Sequence, residues 1–161
     1  MEKQKLNHTG QGWALLFARL VLGLIFFMAG LWKVFQLGPL EHARKYFLPY
    51  SDTFLPLWSL WFVGVIIPFI ELFAGALVIL GLRTREALVS LGFVLVIVTF
   101  GHLLKEPLYE FHTHVIPRLA LLLLIFLLPR EYDRFSLEYL VGYWVRRKAK
   151  TNTEEKIEIS E

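Results

Sequence analysis

The sequence of 161 residues contains no cysteine. Thiol–disulfide chemistry, a structural disulfide and an iron–sulfur cluster held by thiolates are therefore excluded for this chain. The sequence also lacks a glycine-rich phosphate loop and any recognisable pairing of a nucleophile with a base. Redox work with a bound organic cofactor is still compatible with these absences.

Charge is scarce inside four long apolar runs, and hydrophobic residues make up 56% of the chain. The runs cover residues 13–32, 58–82, 86–104 and 113–129. Twenty residues form about 30 Å of helix, which matches the hydrocarbon core of a bilayer. Such continuous runs exclude the alternating strands of a membrane barrel. We predict an all-α membrane protein with a four-transmembrane-helix bundle; the fourth run is short, and a re-entrant segment is the alternative.

The distribution of Lys and Arg predicts the orientation of these spans. The N-terminus, the second connection and the C-terminal region carry 11 such residues, whereas the first and third connections carry 4. Because basic loops stay on the cytoplasmic side, both termini are expected there, in the cell (inner) membrane. The first run is long for a signal peptide and contains Arg19, so we interpret it as a retained span.

The two ends of the chain are expected to lie outside the transmembrane domain of residues 13–132. Residues 1–12 are predicted to form a cytoplasmic N-terminus and residues 149–161 a disordered tail. Residues 133–148 are predicted to form an interfacial amphipathic helix, with an apolar face made of Leu137, Leu140, Val141 and Trp144. The basic cluster at residues 146–150 favours membrane lipid, not nucleic acid, as a partner.

Three short motifs follow one another along the chain. The first run contains Arg19, Gly23, Phe26 and Gly30, and Lys33 follows it directly. The second contains Glu71 and Gly75 and leads into a Gly-Leu-Arg-Thr-Arg sequence at residues 81–85. Ser136-Leu137-Glu138 follows the last run. In this pattern, over about residues 15–142, the chain resembles the DoxX family of small four-helix membrane proteins.

The resemblance implies a function for part of the family only. Some relatives are described as subunits of thiosulfate:quinone or quinol oxidoreductases, and others as parts of membrane redox-stress complexes. The chain departs from the family at Ala29, where a His is frequent, and in its long first connection, residues 36–57. The resemblance therefore implies a quinone-interacting subunit of a membrane redox complex.

Ionisable residues within a bilayer are costly and usually face the interior of a bundle. Small-residue stripes on the first two spans predict that these helices pack together, with Glu71 in their interface. Side chains lean toward the N-terminus of their helix, so Arg19 should point away from Glu71. Thr99 and His102 should lean toward it. We predict a catalytic cluster of Glu71, Thr99 and His102. Glu71 is expected to be protonated, because its depth near the middle of the bilayer disfavours the charged form and no cation is expected beside it.

Lys33 and Arg118 are predicted to stand at the mouth of this cluster as cofactor-binding residues. In the competing interpretation, Glu71 and His102 only join helices, and the cations Arg19, Lys33 and Arg118 reach to the headgroups.

A metal site is not expected. His112 and His114 face apart on a helix, and His42 completes no convincing ligand set. Haem and iron–sulfur clusters are not expected either, because paired axial ligands and cysteine are lacking.

The sequence thus leaves two main hypotheses and does not decide whether the chain is itself an enzyme. One is the quinone-interacting subunit; the other is a non-catalytic membrane scaffold or assembly partner for a soluble enzyme. A transporter is a weaker option, because four helices without an internal repeat leave little room for alternating access. Either main hypothesis implies a partner subunit or a second copy of the chain.

Overall fold

The computed structural model describes residues 2–106, 111–129, 133 and 135–158. Predictions that fall on residues 1, 107–110, 130–132, 134 and 159–161 lie outside this description. Within the described residues the secondary structure is helical, which confirms the all-α prediction. The elements are α1 (Glu2–Leu31), a π-helical segment (Trp32–Leu37), α2 (Pro39–Tyr46), a 3₁₀ turn (Leu48–Tyr50), α3 (Leu57–Leu80), α4 (Thr84–Lys105), α5 (Phe111–Leu127) and α6 (Leu137–Glu158).

Three of the described helical stretches are long and apolar enough to cross a membrane: Gly10–Leu37, Leu57–Leu80 and Thr84–Lys105. They agree with the first three predicted spans to within a few residues at most ends. A shorter apolar stretch, Thr113–Leu127, occupies the place of the fourth. It packs against α1 and α4, so α5 belongs to the bundle.

The helices α1 and α3 form the most extensive interface of the bundle. A Cβ atom added at Gly30 would lie 2.8 Å from the carbonyl oxygen of Pro68, and one at Gly75 would lie 2.9 Å from the Cα of Phe27. Glycine at these positions lets the two backbones touch. The predicted packing of the two small-residue stripes is therefore confirmed.

A single apolar core joins α1, α3, α4 and α5. On α1 its members recur at helical spacing, and similar rows come from the other helices: Leu15, Ala18, Leu22, Phe26, Ala74, Val78, Ala87, Leu88, Leu91, Leu95, Leu122 and Ile125. Many large apolar side chains outside this core are exposed on the bundle surface, including Phe17, Phe73 and Phe93. An apolar exterior around an apolar core is typical of helices surrounded by lipid.

The connection between α3 and α4 is a tight turn built on Gly81. Its φ of 66° is left-handed, and the amides of Gly81 and Leu82 donate to the carbonyls of Val78 and Leu77. This is the hydrogen-bond pattern of a Schellman cap, which favours glycine. We call this side of the bundle the Gly81 end, and the side that carries α2 the α2 end.

The C-terminal helix differs from the prediction in its length. The structure continues α6 to Glu158, whereas a disordered tail was predicted from residue 149. The sequence has no Gly or Pro after Gly142, and Glu154, Glu155 and Lys156 are good helix formers, so nothing local ends the helix earlier.

Candidate functional site

A partly buried ion pair joins the segment after α1 to the middle of α3. The Lys33 ammonium donates a 2.6 Å hydrogen bond to Oε2 of Glu71, and the Glu71 side chain is only 7% exposed. Lys33 lies in the π-helical segment that directly follows α1. Single π-helical turns occur frequently at functional sites. Lys33 is therefore a candidate functional residue.

Two sequence expectations are corrected by this pair. No cation was expected beside Glu71, and Lys33 is such a cation. Lys33 was expected at the mouth of the site, or reaching to headgroups, but it contacts Glu71 directly. The rule that side chains lean toward the helix N-terminus makes Lys33 and Glu71 lean toward each other, since α1 and α3 run in opposite directions.

A second buried contact holds α2 against α3. Pro68 has no backbone N–H, so the carbonyl of Gly64, four residues earlier, has no helical donor. Nδ1 of His42 lies 2.6 Å from that carbonyl oxygen and donates to it. Gly64 also lets the chain approach, since an added Cβ would lie 2.7 Å from the Cα of Ala43. His42 is therefore seated on the backbone defect that Pro68 creates.

The protonation state of His42 follows from its burial and from its hydrogen bond to Gly64. His42 is 4% exposed, and burial lowers its pKa below the usual value. The hydrogen bond to Gly64 raises the pKa in part, and the charge of Lys33 lowers it again. Because α2 lies in the connection between two long apolar helices, His42 is outside the apolar spans. The neutral imidazole is thus favoured, with its proton on Nδ1.

A cavity of about 560 Å³ lies at the α2 end, between α2, α3 and α4. Its polar side chains are two histidines, three lysines, two tyrosines and a serine: His42, His102, Lys33, Lys45, Lys105, Tyr46, Tyr50 and Ser59. The remaining lining residues are apolar or aromatic except for Gly101, and include Leu60, Ile67 and Phe100. A pocket of this size with apolar walls and a few polar groups is typical of small-molecule sites.

Sequence-predicted site residues divide into two groups around this cavity. Lys33 and His102 line it, and Glu71 is linked to it through Lys33. Thr99 is partly buried and is not among the lining residues. Arg118 is also absent from the lining; its guanidinium lies 5.7 Å from the centre of the Phe26 ring. The structure therefore brings Lys33, Glu71 and His102 to one region and places Arg118 elsewhere.

Lys105 ties the end of α4 to the first connection. Its ammonium donates to the carbonyl of Pro49, lies 3.3 Å from Oδ1 of Asp52 and stands 5.1 Å from the centre of the Tyr50 ring. These contacts close one side of the cavity. Among the described side chains, no group of three His, Asp or Glu residues is arranged as metal ligands.

The Gly81 end carries a separate ionic cluster centred on Arg19. Its NH1 atom donates to both carboxylate oxygens of Asp133, at 2.5 and 2.7 Å, and its NH2 atom donates to the carbonyl of Phe135. Arg19 is 1% exposed. The interpretation that Arg19 reaches to the headgroups is therefore wrong, because its partner lies within the protein.

The segment after α5 is fixed around this cluster. The Ser136 hydroxyl donates to the carbonyl of Asp133 and accepts from the amide of Tyr139, which makes it the N-cap of α6. The amide of Glu138 donates to the carbonyl of Gly81. Burial raises the pKa of Asp133, and the Arg19 guanidinium opposes that rise. The Ser-Leu-Glu motif is thus a docking element for α6.

Sequence reasoning missed the roles of His42 and Asp133. Pro68, four residues after Gly64 inside a span, indicated an unpaired carbonyl but did not indicate which group donates to it. Asp133 lies three residues before the serine of the Ser-Leu-Glu motif, and Arg19 leans toward the same side of the bundle. Their pairing could have been proposed from that direction alone.

Apolar helices, an apolar exterior and buried ionic links define a multi-pass α-helical membrane protein. The DoxX family model matches residues 14–103, more than half of the chain. The chain belongs to the DoxX family. Neither the comparison with curated proteins nor that with solved structures gives a match.

Proposed function

We propose that the protein is a quinone-interacting subunit of a membrane redox complex and that the cavity at the α2 end receives the quinone headgroup. The observation that carries this proposal is the lining of the cavity, which combines apolar and aromatic walls with histidines and lysines. A quinone headgroup needs flat apolar contacts and hydrogen bonds at its oxygens, and both are available there.

The bilayer arrangement proposed here has four spans and both termini in the cytoplasm, in the cell membrane. It rests on the count of basic residues in the connections. The packing of α5 against α1 and α4 favours a fourth span over a re-entrant segment. The cavity then opens toward the non-cytoplasmic side, and α6 lies along the cytoplasmic face with its tyrosines and Trp144 at headgroup level.

When bound, quinone supplies two-electron, two-proton chemistry, and a redox group of a partner subunit would be the other electron carrier. The ammonium of Lys33 would donate a hydrogen bond to a headgroup oxygen, and Glu71 holds that ammonium in position. His102 on α4 provides a second polar contact in the wall. The burial of Glu71 strengthens its bond to Lys33, because the local dielectric is low.

A cavity-filling variant tests the proposal. Gly101 lines the cavity, and an added Cβ there would have no neighbour within 4 Å. Gly101→Leu should reduce the affinity for a short-tail ubiquinone analogue at least tenfold, measured by calorimetry in lipid nanodiscs. The matched control is Leu103→Trp, since Leu103 is 40% exposed on the same helix and does not line the cavity. Equal affinity of the wild type and both variants would contradict this site.

The alternative proposal is a non-catalytic scaffold that holds a soluble enzyme. It is favoured by one feature, the long α6 with its exposed apolar side chains and basic residues Arg147 and Lys148. Truncation after Gly142 separates the two. If the protein is a scaffold, the truncated form should no longer co-purify with its partner and should show no quinone binding. If the cavity is a quinone site, the truncated form should retain its quinone affinity.

A further inference from the structure

The acceptor atom of His42 adds a chemical preference to the proposed quinone site. The Gly64 carbonyl only accepts hydrogen bonds, so Nδ1 of His42 must carry the proton that it donates. In a neutral imidazole the other nitrogen, Nε2, then has a free lone pair and no proton. His42 lines the cavity, and its described hydrogen bond uses Nδ1 and not Nε2.

Lys33 supplies the opposite property at the same place. Its ammonium only donates, and it lines the cavity close enough for its charge to act on His42. A ligand oxygen that meets both groups must accept from Lys33 and donate to His42. A hydroxyl group does both, whereas a carbonyl oxygen can only accept.

We propose that His42 makes this cavity selective for the reduced, hydroxyl-bearing quinol over the quinone, through a hydrogen bond from a quinol hydroxyl to Nε2. This rests on the proposed quinone-binding function. Pro68 is the origin of the selectivity, because it frees the Gly64 carbonyl that fixes the histidine tautomer. A quinone carbonyl in the same position would leave the Nε2 lone pair facing another lone pair.

The proton on Nδ1 also depends on the charges that surround His42. Those around the cavity are Lys33 from the π-helical segment, Lys45 from α2 and Lys105 and His102 from α4, with Tyr46 and Tyr50 as further titratable groups. Glu71 on α3 neutralises Lys33. The burial of His42 and the charge that Lys33 still exerts on it both disfavour a second proton on its ring.

The experiment compares binding of decylubiquinone and decylubiquinol by anaerobic calorimetry in lipid nanodiscs at pH 7. The wild type should bind the quinol about tenfold more tightly. His42→Asn keeps a donor near the position of Nδ1 and removes Nε2. It should lose this preference by weakening quinol binding while the quinone affinity stays within about twofold.

A second measurement applies if His42→Asn does not fold. In the His102→Gln background, which leaves His42 as the histidine in the cavity wall, acidification until NMR shows that His42 is protonated should abolish the quinol preference, because protonated His42 offers a donor at Nε2. Equal affinities for both forms, or a preference that survives in His42→Asn or in acid, would overturn the inference while leaving the quinone site intact. Failure of both forms to bind the wild type would overturn the proposed function itself.

Discussion

The ammonium of Lys33 and the carboxylate of Glu71 meet at 2.6 Å across the closest approach of two helices. Gly30, one turn before Lys33, touches the backbone of Leu72, next to Glu71. The missing side chain at Gly30 lets the ion pair form without stretching either partner. The pair therefore depends on helix packing as much as on charge, and each can be tested separately.

Removing one member of this pair should destabilise the protein. Lys33→Met leaves Glu71 buried without its cation and should lower the free energy of unfolding by roughly 1–3 kcal/mol. Unfolding in mixed detergent micelles measures this value. The double variant Lys33→Met/Glu71→Leu removes both charges and should recover much of the loss. A double variant as unstable as the sum of the two single variants would refute the coupling.

Replacing Arg19 by a residue with fewer hydrogen-bond donors should weaken the attachment of α6 to the bundle. Arg19→Lys retains the charge but cannot donate to both Asp133 oxygens and to Phe135 together, so a loss of roughly 1–3 kcal/mol is expected. Faster tryptic cleavage within α6, in protein held in nanodiscs, reports its release. Arg118→Lys is the control, because the described contact of Arg118 is with the Phe26 ring. Equal cleavage rates in both variants would contradict the proposed docking role.

A methyl group at Gly30 should separate α1 from α3. Its Cβ would lie 2.8 Å from the Pro68 carbonyl oxygen, and backbone atoms cannot move aside as a flexible side chain can. Gly30→Ala should cost roughly 1–3 kcal/mol, as overpacking does. Gly10→Ala, on the same helix with nothing near its Cβ, should be neutral or slightly stabilising. Thermal unfolding in detergent distinguishes these outcomes.

Restoring a backbone N–H at position 68 should release His42. In Pro68→Ala the helix itself can supply the donor for Gly64, so His42 becomes more exposed and its pKa rises toward the usual value of about 6.5. In the wild type, the lowered pKa means that stability falls as the pH drops below about 6.5, because the unfolded chain binds the proton more readily. This acid sensitivity should shrink in Pro68→Ala. NMR titration of labelled histidine measures the pKa of His42, and unfolding at several pH values measures the acid sensitivity. Pro117→Ala is the control for both.

The span count makes a direct topological prediction. Reporter fusions after Tyr50 and Glu110 should report the non-cytoplasmic side, and fusions after Arg85 and Lys150 the cytoplasmic side. A non-cytoplasmic signal at Lys150 would reduce the number of crossings to three.

Much of the fold follows from hydrophobic run length, because lipid leaves helices as the main solution for a spanning chain. The contact between α1 and α3 was also predictable, since Gly23, Gly30 and Gly75 mark close approaches. The partners of the charges were harder. Glu71 was grouped with Thr99 and His102 of α4 from the direction in which side chains lean, without the reach of a lysine side chain. His42 could not be placed, since α2 lies in a connection without a repeating pattern.

The bond between Arg19 and Asp133 joins residues 114 positions apart in the chain. At 5–20 residues per second, the ribosome needs roughly 6 to 23 s to make Asp133 after Arg19. During that interval the first span is already available for insertion, with an arginine that has no native counter-ion. In the nascent chain, the insertion machinery, water or lipid phosphate must therefore stabilise the Arg19 guanidinium until the end of the transmembrane domain emerges. Completion of the bundle is timed by translation of its last segment.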